Sequence, residues 1–316
     1  MGLRGMLLQQ MLLGLIILAA TAASQPNSSC KEDRCGSLNS IPYPFGTRAG
    51  CYLDDSFLIQ CVNISGTLKP ILGYENLEVL NISLDGELRV STSVTRHGCN
   101  NYSSQSIRSK FPLSNKRNKL FGLGFSIIWY IGGYGGSTYG TGCVSSGRRY
   151  IDNVYAGLYD SGNIVNGSCS GTGCCETFIP GGVTEFYVSV WSFVNNSDRC
   201  MFGFVVENEA YNFSTNDVKD SQNRTTVPVV LDWAVGTETC ENAQRNQTTY
   251  ACKAANSDCL NSTNGPGYRC NCSSGYKGNP YLPDGCQGTN THLVSKMIFF
   301  FFSLAKFSML GLLFAY

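Results

Sequence analysis

Apolar and polar positions follow one another in short runs along this chain, and no long segment repeats its apolar positions at helical spacing. Leu77 to Val90 holds two β-rich runs around Asp85-Gly86, a pattern that predicts a hairpin. Phe125 to Ile131 is aromatic and β-branched, as expected of a buried strand. Between Thr184 and Val190, Thr184, Phe186, Val188 and Val190 alternate with Glu185, Tyr187 and Ser189, which predicts a strand with one apolar face. Phe202–Val206 and Val227–Leu231 read in the same way. Gly132 to Gly142 is glycine-rich, but it lacks a Gly-Lys-Ser/Thr ending and precedes no helical pattern, so it is not a phosphate cradle.

The two ends differ from this pattern. Arg4, the apolar run Met6–Ala20 and the small residues Thr21–Ser24 make residues 1–23 a signal peptide cut near Ala23. At the other end, residues 297–316 are mostly apolar and long enough to cross a bilayer. Lys306 is costly in mid-span, and no basic cluster follows. Three readings of this tail stand: a plasma-membrane helix, a cleaved lipid-anchor signal, or sequence from a misjoined transcript.

Composition sharpens the picture. The 316 residues include sixteen cysteines and two histidines, and charged residues make up 14%, against roughly 25% in an average domain. With the signal peptide, that cysteine content points to an oxidising compartment and a disulfide framework. Secretion also predicts glycosylation. Sequons stand at Asn27, Asn63, Asn81, Asn101, Asn166, Asn195, Asn212, Asn223, Asn246, Asn261 and Asn271, an excess over the roughly four that chance gives. Asn271 lies between two cysteines, too crowded for a glycan, which leaves ten candidates. The expected fold class is all-β and disulfide-rich.

The cysteines divide into ten and six. Cys240, Cys252, Cys259, Cys270, Cys272 and Cys286, followed in their middle by Gly275-Tyr276, resemble an EGF-like module spanning 236–287. That resemblance implies the pairs Cys240–Cys259, Cys252–Cys270 and Cys272–Cys286. About fifty residues bury too little apolar surface to stand without such bridges. No CxxC pair or nearby histidine suggests zinc, and Glu238 is the only acid close before Cys240, too few oxygen ligands for calcium, so no metal is expected. Among the other ten, adjacent Cys174 and Cys175 cannot easily pair with each other and should tie one strand to two partners.

Further motifs carry a family resemblance. They are Cys35-Gly36 with Ile41-Pro42-Tyr43-Pro44-Phe45-Gly46, then Gly50-Cys51 and Cys61, then Cys169 with Gly171, Gly173, Cys174 and Cys175. Phe204–Glu207, Val227–Trp233, Gly265–Cys270 and Gly278–Leu282 complete the set. Together they resemble the extracellular region of plant wall-associated receptor kinases. The resemblance implies a β-rich galacturonan-binding-like domain over 30–233, followed by the EGF-like module. It departs from the family at Phe125 and Gly147, where relatives usually carry cysteines that we expect to pair, and no kinase sequence follows the module.

Charge supplies candidate chemistry. From Leu88 to Ile151 there is no Asp or Glu, while Arg89, Arg96, Arg108, Lys110, Lys116, Arg117, Lys119, Arg148 and Arg149 lie within it. A block of that sign attracts polyanions. Pectin, or an oligogalacturonide cut from it, is the wall polyanion whose carboxylates suit Arg and Lys donors. The polysaccharide-binding candidates are Arg108, Lys110, Lys116, Arg117, Lys119, Arg148 and Arg149, with Tyr130, Tyr134, Tyr139 and Tyr150 placed to stack on sugar rings. Extracellular peptides or receptor kinases are the alternative partners, for a protein-interaction module acting as decoy or co-receptor, and a truncated receptor-kinase product is the remaining alternative. A secreted, glycosylated chain excludes nucleic acid. His97 lacks an evident partner, Asp54-Asp55 are adjacent rather than set across a cleft, and no G-x-S-x-G elbow occurs, so neither an enzyme nor a cofactor is expected.

Overall fold

The computed structural model describes residues 30, 33–73, 75–99, 102–133, 140–146, 164–193, 200–218 and 224–289. The signal-peptide and tail segments therefore lie outside the described residues, as do Gly147, Arg148, Arg149, Tyr134, Tyr139 and Tyr150. Among the described residues no helix is long and apolar enough to cross a membrane.

The strands run in chain order as β1 (Ile59–Ile64), β2 (Thr67–Leu72), β3 (Leu77–Ile82), β4 (Glu87–Ser93), β5 (Thr95–His97), β6 (Ser106–Arg108), β7 (Asn118–Leu123), β8 (Ile127–Gly132) and β9 (Thr141–Ser145). They continue as β10 (Cys174–Phe178), β11 (Glu185–Ser192), β12 (Met201–Glu207), β13 (Thr226–Asp232), β14 (Ser257–Asn261), β15 (Tyr268–Cys272), β16 (Tyr276–Gly278) and β17 (Cys286–Gly288). Three antiparallel sheets, ordered β1-β2-β3-β4-β13, β10-β7-β12-β5 and β6-β11-β8-β9, form the larger part, and two hairpins, β14-β15 and β16-β17, form the C-terminal part. The fold is thus nearly all β-strand, as the short alternating runs predict.

The alternation of β11 buries Phe186 and Val188, and β8 buries Ile127, Trp129 and Ile131. Phe125 precedes the strand: the left-handed Ser126 (φ 57°) turns the chain before β8 starts. β12 is buried at every position, consistent with its central place and its unbroken apolar run. Trp129 packs against Gly122 of β7 and Gly203 of β12, which face each other in register. A methyl group at either glycine would collide with the indole.

Eight disulfides staple the described chain, and no described cysteine is free. Cys30–Cys51 and Cys35–Cys61 brace the N-terminal segment, and Cys99–Cys200 joins the ends of β5 and β12. Cys143–Cys175 and Cys169–Cys174 give the adjacent pair two separate partners. Cys240–Cys259, Cys252–Cys270 and Cys272–Cys286 are the same three pairs that the EGF-like resemblance implies.

The C-terminal part is built into the core of the larger one. Trp233, 1% exposed, meets Phe45 at 5.3 Å, Phe57 at 5.9 Å and Tyr281 at 5.7 Å between ring centroids. Its Nε1 donates to Ser83 O (2.9 Å), and its backbone N–H donates to Gly86 O (2.9 Å). The β3–β4 turn is thereby held from one side by Trp233. The Arg269 guanidinium donates to Asp85 O and lies over Gly86, whose left-handed backbone (φ +98°) favours glycine. Asn264 Nδ2 donates to Leu113 O (2.9 Å) and to Asp232 Oδ2 (2.8 Å), while its Oδ1 accepts from Gly182 N (2.7 Å). Asn279 Nδ2 donates to Tyr43 O at 2.6 Å.

Two predictions follow from this shared core. Trp233→Ala should lower stability by about 3–5 kcal/mol, the range for large core truncations, measured by denaturant unfolding. The same variant should speed limited proteolysis within residues 236–289, because the tryptophan contacts elements from both parts; unchanged cleavage there would show that the parts are held independently.

Candidate functional site

The described residues line a cleft with a volume of about 490 Å³, within the range of small-ligand sites. Its walls come from the N-terminal segment (Tyr43, Gly50, Tyr52, Leu53, Asp54) and from the C-terminal part (Val235, Gly236, Thr248–Ala251, Lys253, Tyr281). Local structure fixes both walls. Asp54 caps a short 3-10 turn, its Oδ1 accepting from Ser56 N (2.9 Å), and Lys110 Nζ lies 3.6 Å away. Opposite, Pro280 O accepts from Lys253 N and Ala254 N (3.1 Å each). Asn279 couples the two walls through Tyr43 O.

The rings of Tyr43, Tyr52 and Tyr250 are half-buried, while Tyr281 is fully buried beneath them. Burial, with the Asp54 charge second, raises the Tyr43 phenol above its ordinary value. Burial likewise raises the Tyr281 phenol, whose oxygen accepts from Cys270 N (2.9 Å). Tyr250 stacks on Tyr268 at 5.7 Å, and its hydroxyl accepts from Gln244 Nε2 (3.2 Å). Lys253 Nζ donates to Gln247 O (3.1 Å) and Thr248 O (3.2 Å) and pairs with no carboxylate among the described residues.

The sequence-derived basic candidates do not assemble into one unopposed patch. Arg108 on β6 pairs with Glu185 (2.8 Å), and Lys110 reaches Asp54. Arg117 meets Glu207 (3.0 Å), Glu87 (3.4 Å) and Glu209 (3.6 Å), and Lys119 meets Glu176 (2.8 Å). Arg89 holds the other oxygen of Glu207 at 2.6 Å. Every one of these acids lies outside the acid-free block. Antiparallel pairing brings them in: β7 runs beside β10 and β12, so Lys119 faces Phe178 and Val206 in register and finds Glu176 nearby. Lys116 is exposed and holds no carboxylate among the described residues. Tyr130 lies on the outer face of β8, 37% exposed. His97 is exposed on β5, and among the described residues no group of three or more His, Cys, Asp or Glu converges to hold a metal ion.

Sequence reasoning missed the cleft. Tyr43 and Tyr281 lie in motifs that marked the resemblance, yet nothing local links residues 43–54 to 248–253; only the folded packing does. Lys253 carried no signal, being one isolated base between Cys252 and Ala254.

Comparison with known proteins agrees with this architecture. The family described as wall-associated receptor kinase galacturonan-binding matches residues 30–92, which include one wall of the cleft. Wall-associated receptor kinase 2 of Arabidopsis thaliana is 34% identical over 286 residues, covering 86% of this chain and 36% of the relative. Wall-associated receptor kinases 5 and 3 of the same plant are 33% and 34% identical, covering 84% and 83% of this chain and 35% and 36% of the relatives. The chain therefore spans about a third of the length of these relatives. No solved structure matches. By its galacturonan-binding segment and by similarity along most of its length, this β-rich, disulfide-stapled chain is an extracellular homologue of the wall-associated receptor kinases.

Proposed function

We propose that this chain is a non-catalytic binding protein for pectin, in particular for de-esterified galacturonan and its oligomers. The observation that carries the reading is the match of residues 30–92 to a family named for galacturonan binding. The exposed basic side chains support it. A polyuronide presents regularly spaced carboxylates, and Arg and Lys are their natural donors. Lys116 offers a charge with no acid to release. Arg108, Lys110, Arg117 and Lys119 would exchange acid partners for those of the polysaccharide. Exposed pairs are worth only about 0–1 kcal/mol, so for a pair as open as Arg108–Glu185, with Arg108 72% exposed, that exchange costs little. Arg148 and Arg149 complete the proposed contact set. The kinase activity and signalling partners of the whole relatives are not part of this reading, and peptides or receptors remain the partners of the alternative decoy or co-receptor role.

The sequons fit an extracellular surface. Asn63, Asn81, Asn166, Asn212, Asn246 and Asn261 are exposed. Four of them accept a backbone N–H with the amide oxygen, from Gly66, Thr215, Thr248 and Cys240 respectively for Asn63, Asn166, Asn246 and Asn261. That leaves the nitrogen, the atom a glycan occupies, without a protein partner. Asn27, Asn101, Asn195 and Asn223 lie outside the described residues.

Titration of the purified chain with oligogalacturonides tests the binding reading. Affinity should fall about ten-fold or more between low and high salt, because exposed charges are screened beyond ~10 Å at 0.1 M, and Lys116→Gln should flatten that dependence. Binding that ignores salt would remove the electrostatic reading. For the glycans, peptide mass spectrometry after enzymatic release in heavy-oxygen water should show the label at the six exposed sequons and none at the half-buried Asn271; a labelled Asn271 would contradict the crowding argument.

A further inference from the structure

We propose that the cleft between the N-terminal segment and the EGF-like part seats one uronosyl residue of the polysaccharide, and so reads the state of its carboxyl group. This rests on the pectin-binding reading and adds a site to it. The cleft carries three kinds of group that one acidic sugar complements together. Half-buried faces of Tyr43, Tyr52 and Tyr250 offer flat apolar surface to the C–H face of a pyranose ring. Asp54 is an acceptor for ring hydroxyls, and the Tyr43 phenol is a donor to them. Lys253 is the cation.

Lys253 is the discriminating group. Two of its three N–H donors are taken by Gln247 O and Thr248 O, which fix the ammonium at the cleft wall and leave one donor to point elsewhere. Neutral carbonyls hold the side chain without cancelling its charge, in contrast to Arg108, Arg117 and Lys119, which are already matched by carboxylates. A free uronate satisfies that remaining donor as a charge-assisted hydrogen bond, and a methyl ester offers only a weaker neutral acceptor. A neutral hexose would leave the charge unanswered.

The walls are also set in place before binding. Tyr281 beneath the cleft packs against Trp233 in a tilted ring contact, and Asn279 ties Tyr43 O to the module, so the two sides do not need to be drawn together by the ligand.

The test compares binding of de-esterified and fully methyl-esterified oligogalacturonides by calorimetry to the whole chain and to two variants. Tyr52→Ala should weaken binding of both oligomers about ten-fold, and Lys253→Gln should weaken only the de-esterified one by a similar factor, erasing the preference. Near-ultraviolet dichroism and the melting temperature confirm folding. Tyr52 is only partly buried where it packs against the core that holds Trp233, so its variant reports even if Lys253→Gln unfolds. If the parent chain binds and both folded variants bind as it does, the cleft assignment falls while the pectin reading stands. If the parent chain binds neither oligomer, the pectin reading falls and the cleft assignment with it.

Discussion

The structure depends on the burial of Trp233. This residue follows directly on β13 and precedes the cysteine-dense module, where a change of pattern marks the boundary between two regions. Instead of a linker, the chain places there one of the two fully buried tryptophans among the described residues. Phe45 and Phe57 contribute from the N-terminal segment and Tyr281 from the module, so each region lacks part of its interior without the other. A module of about fifty residues has too little core to be rigid through apolar burial alone; its bridges fix its internal shape, and the tryptophan fixes where that shape sits. The cleft is a consequence, since its two walls belong to the two regions that the tryptophan joins.

Side-chain amides supply the second connection. Gln105, fully buried, donates to Val205 O and Thr92 Oγ1 and accepts from Val205 N, taking the place of a neighbouring strand where β5 stops short beside β12. Asn118 does the same between β7 and β13, with Val230 N and O. Asn264 and Asn279 repeat the device across the boundary with the module. An amide carries a donor and an acceptor and no charge, so it satisfies buried backbone groups without the desolvation cost of an ion. Charged pairs are mostly kept to the periphery, with two exceptions among the described residues: Glu207 is 8% exposed between two guanidinium groups, and Asp33 is 6% exposed and pairs with Arg48 at 3.0 Å.

Much of this was legible in the sequence. Alternation at Thr184–Val190, the Asp85-Gly86 turn and the cysteine spacing are local signals, and each maps onto an element or a bridge because strands, turns and small disulfide loops are themselves local. The basic block was legible only as a linear fact. Its charges are met by Glu87, Glu176, Glu185, Glu207 and Glu209, which sheet pairing brings in from distant segments. The cleft was not legible, because Tyr43, Tyr52, Tyr250 and Lys253 converge from segments nearly two hundred residues apart in number. No periodicity encodes such a meeting; the Trp233 cluster produces it.

Asn264 is followed by Gly265. Asn-Gly is the dipeptide in which a backbone nitrogen most easily attacks the side-chain carbonyl, closing a succinimide that opens to aspartate or isoaspartate. Here the amide nitrogen is engaged by Leu113 O and Asp232 Oδ2, and the residue is 5% exposed. Were the conversion to occur, a carboxylate would replace a donor and face the Asp232 carboxylate and a carbonyl oxygen, turning two attractions into repulsions. The contact that joins the module to the sheets is therefore also its chemical clock: while the fold stays closed the asparagine is protected, and each local opening exposes the bond to an ageing reaction that makes reclosure harder.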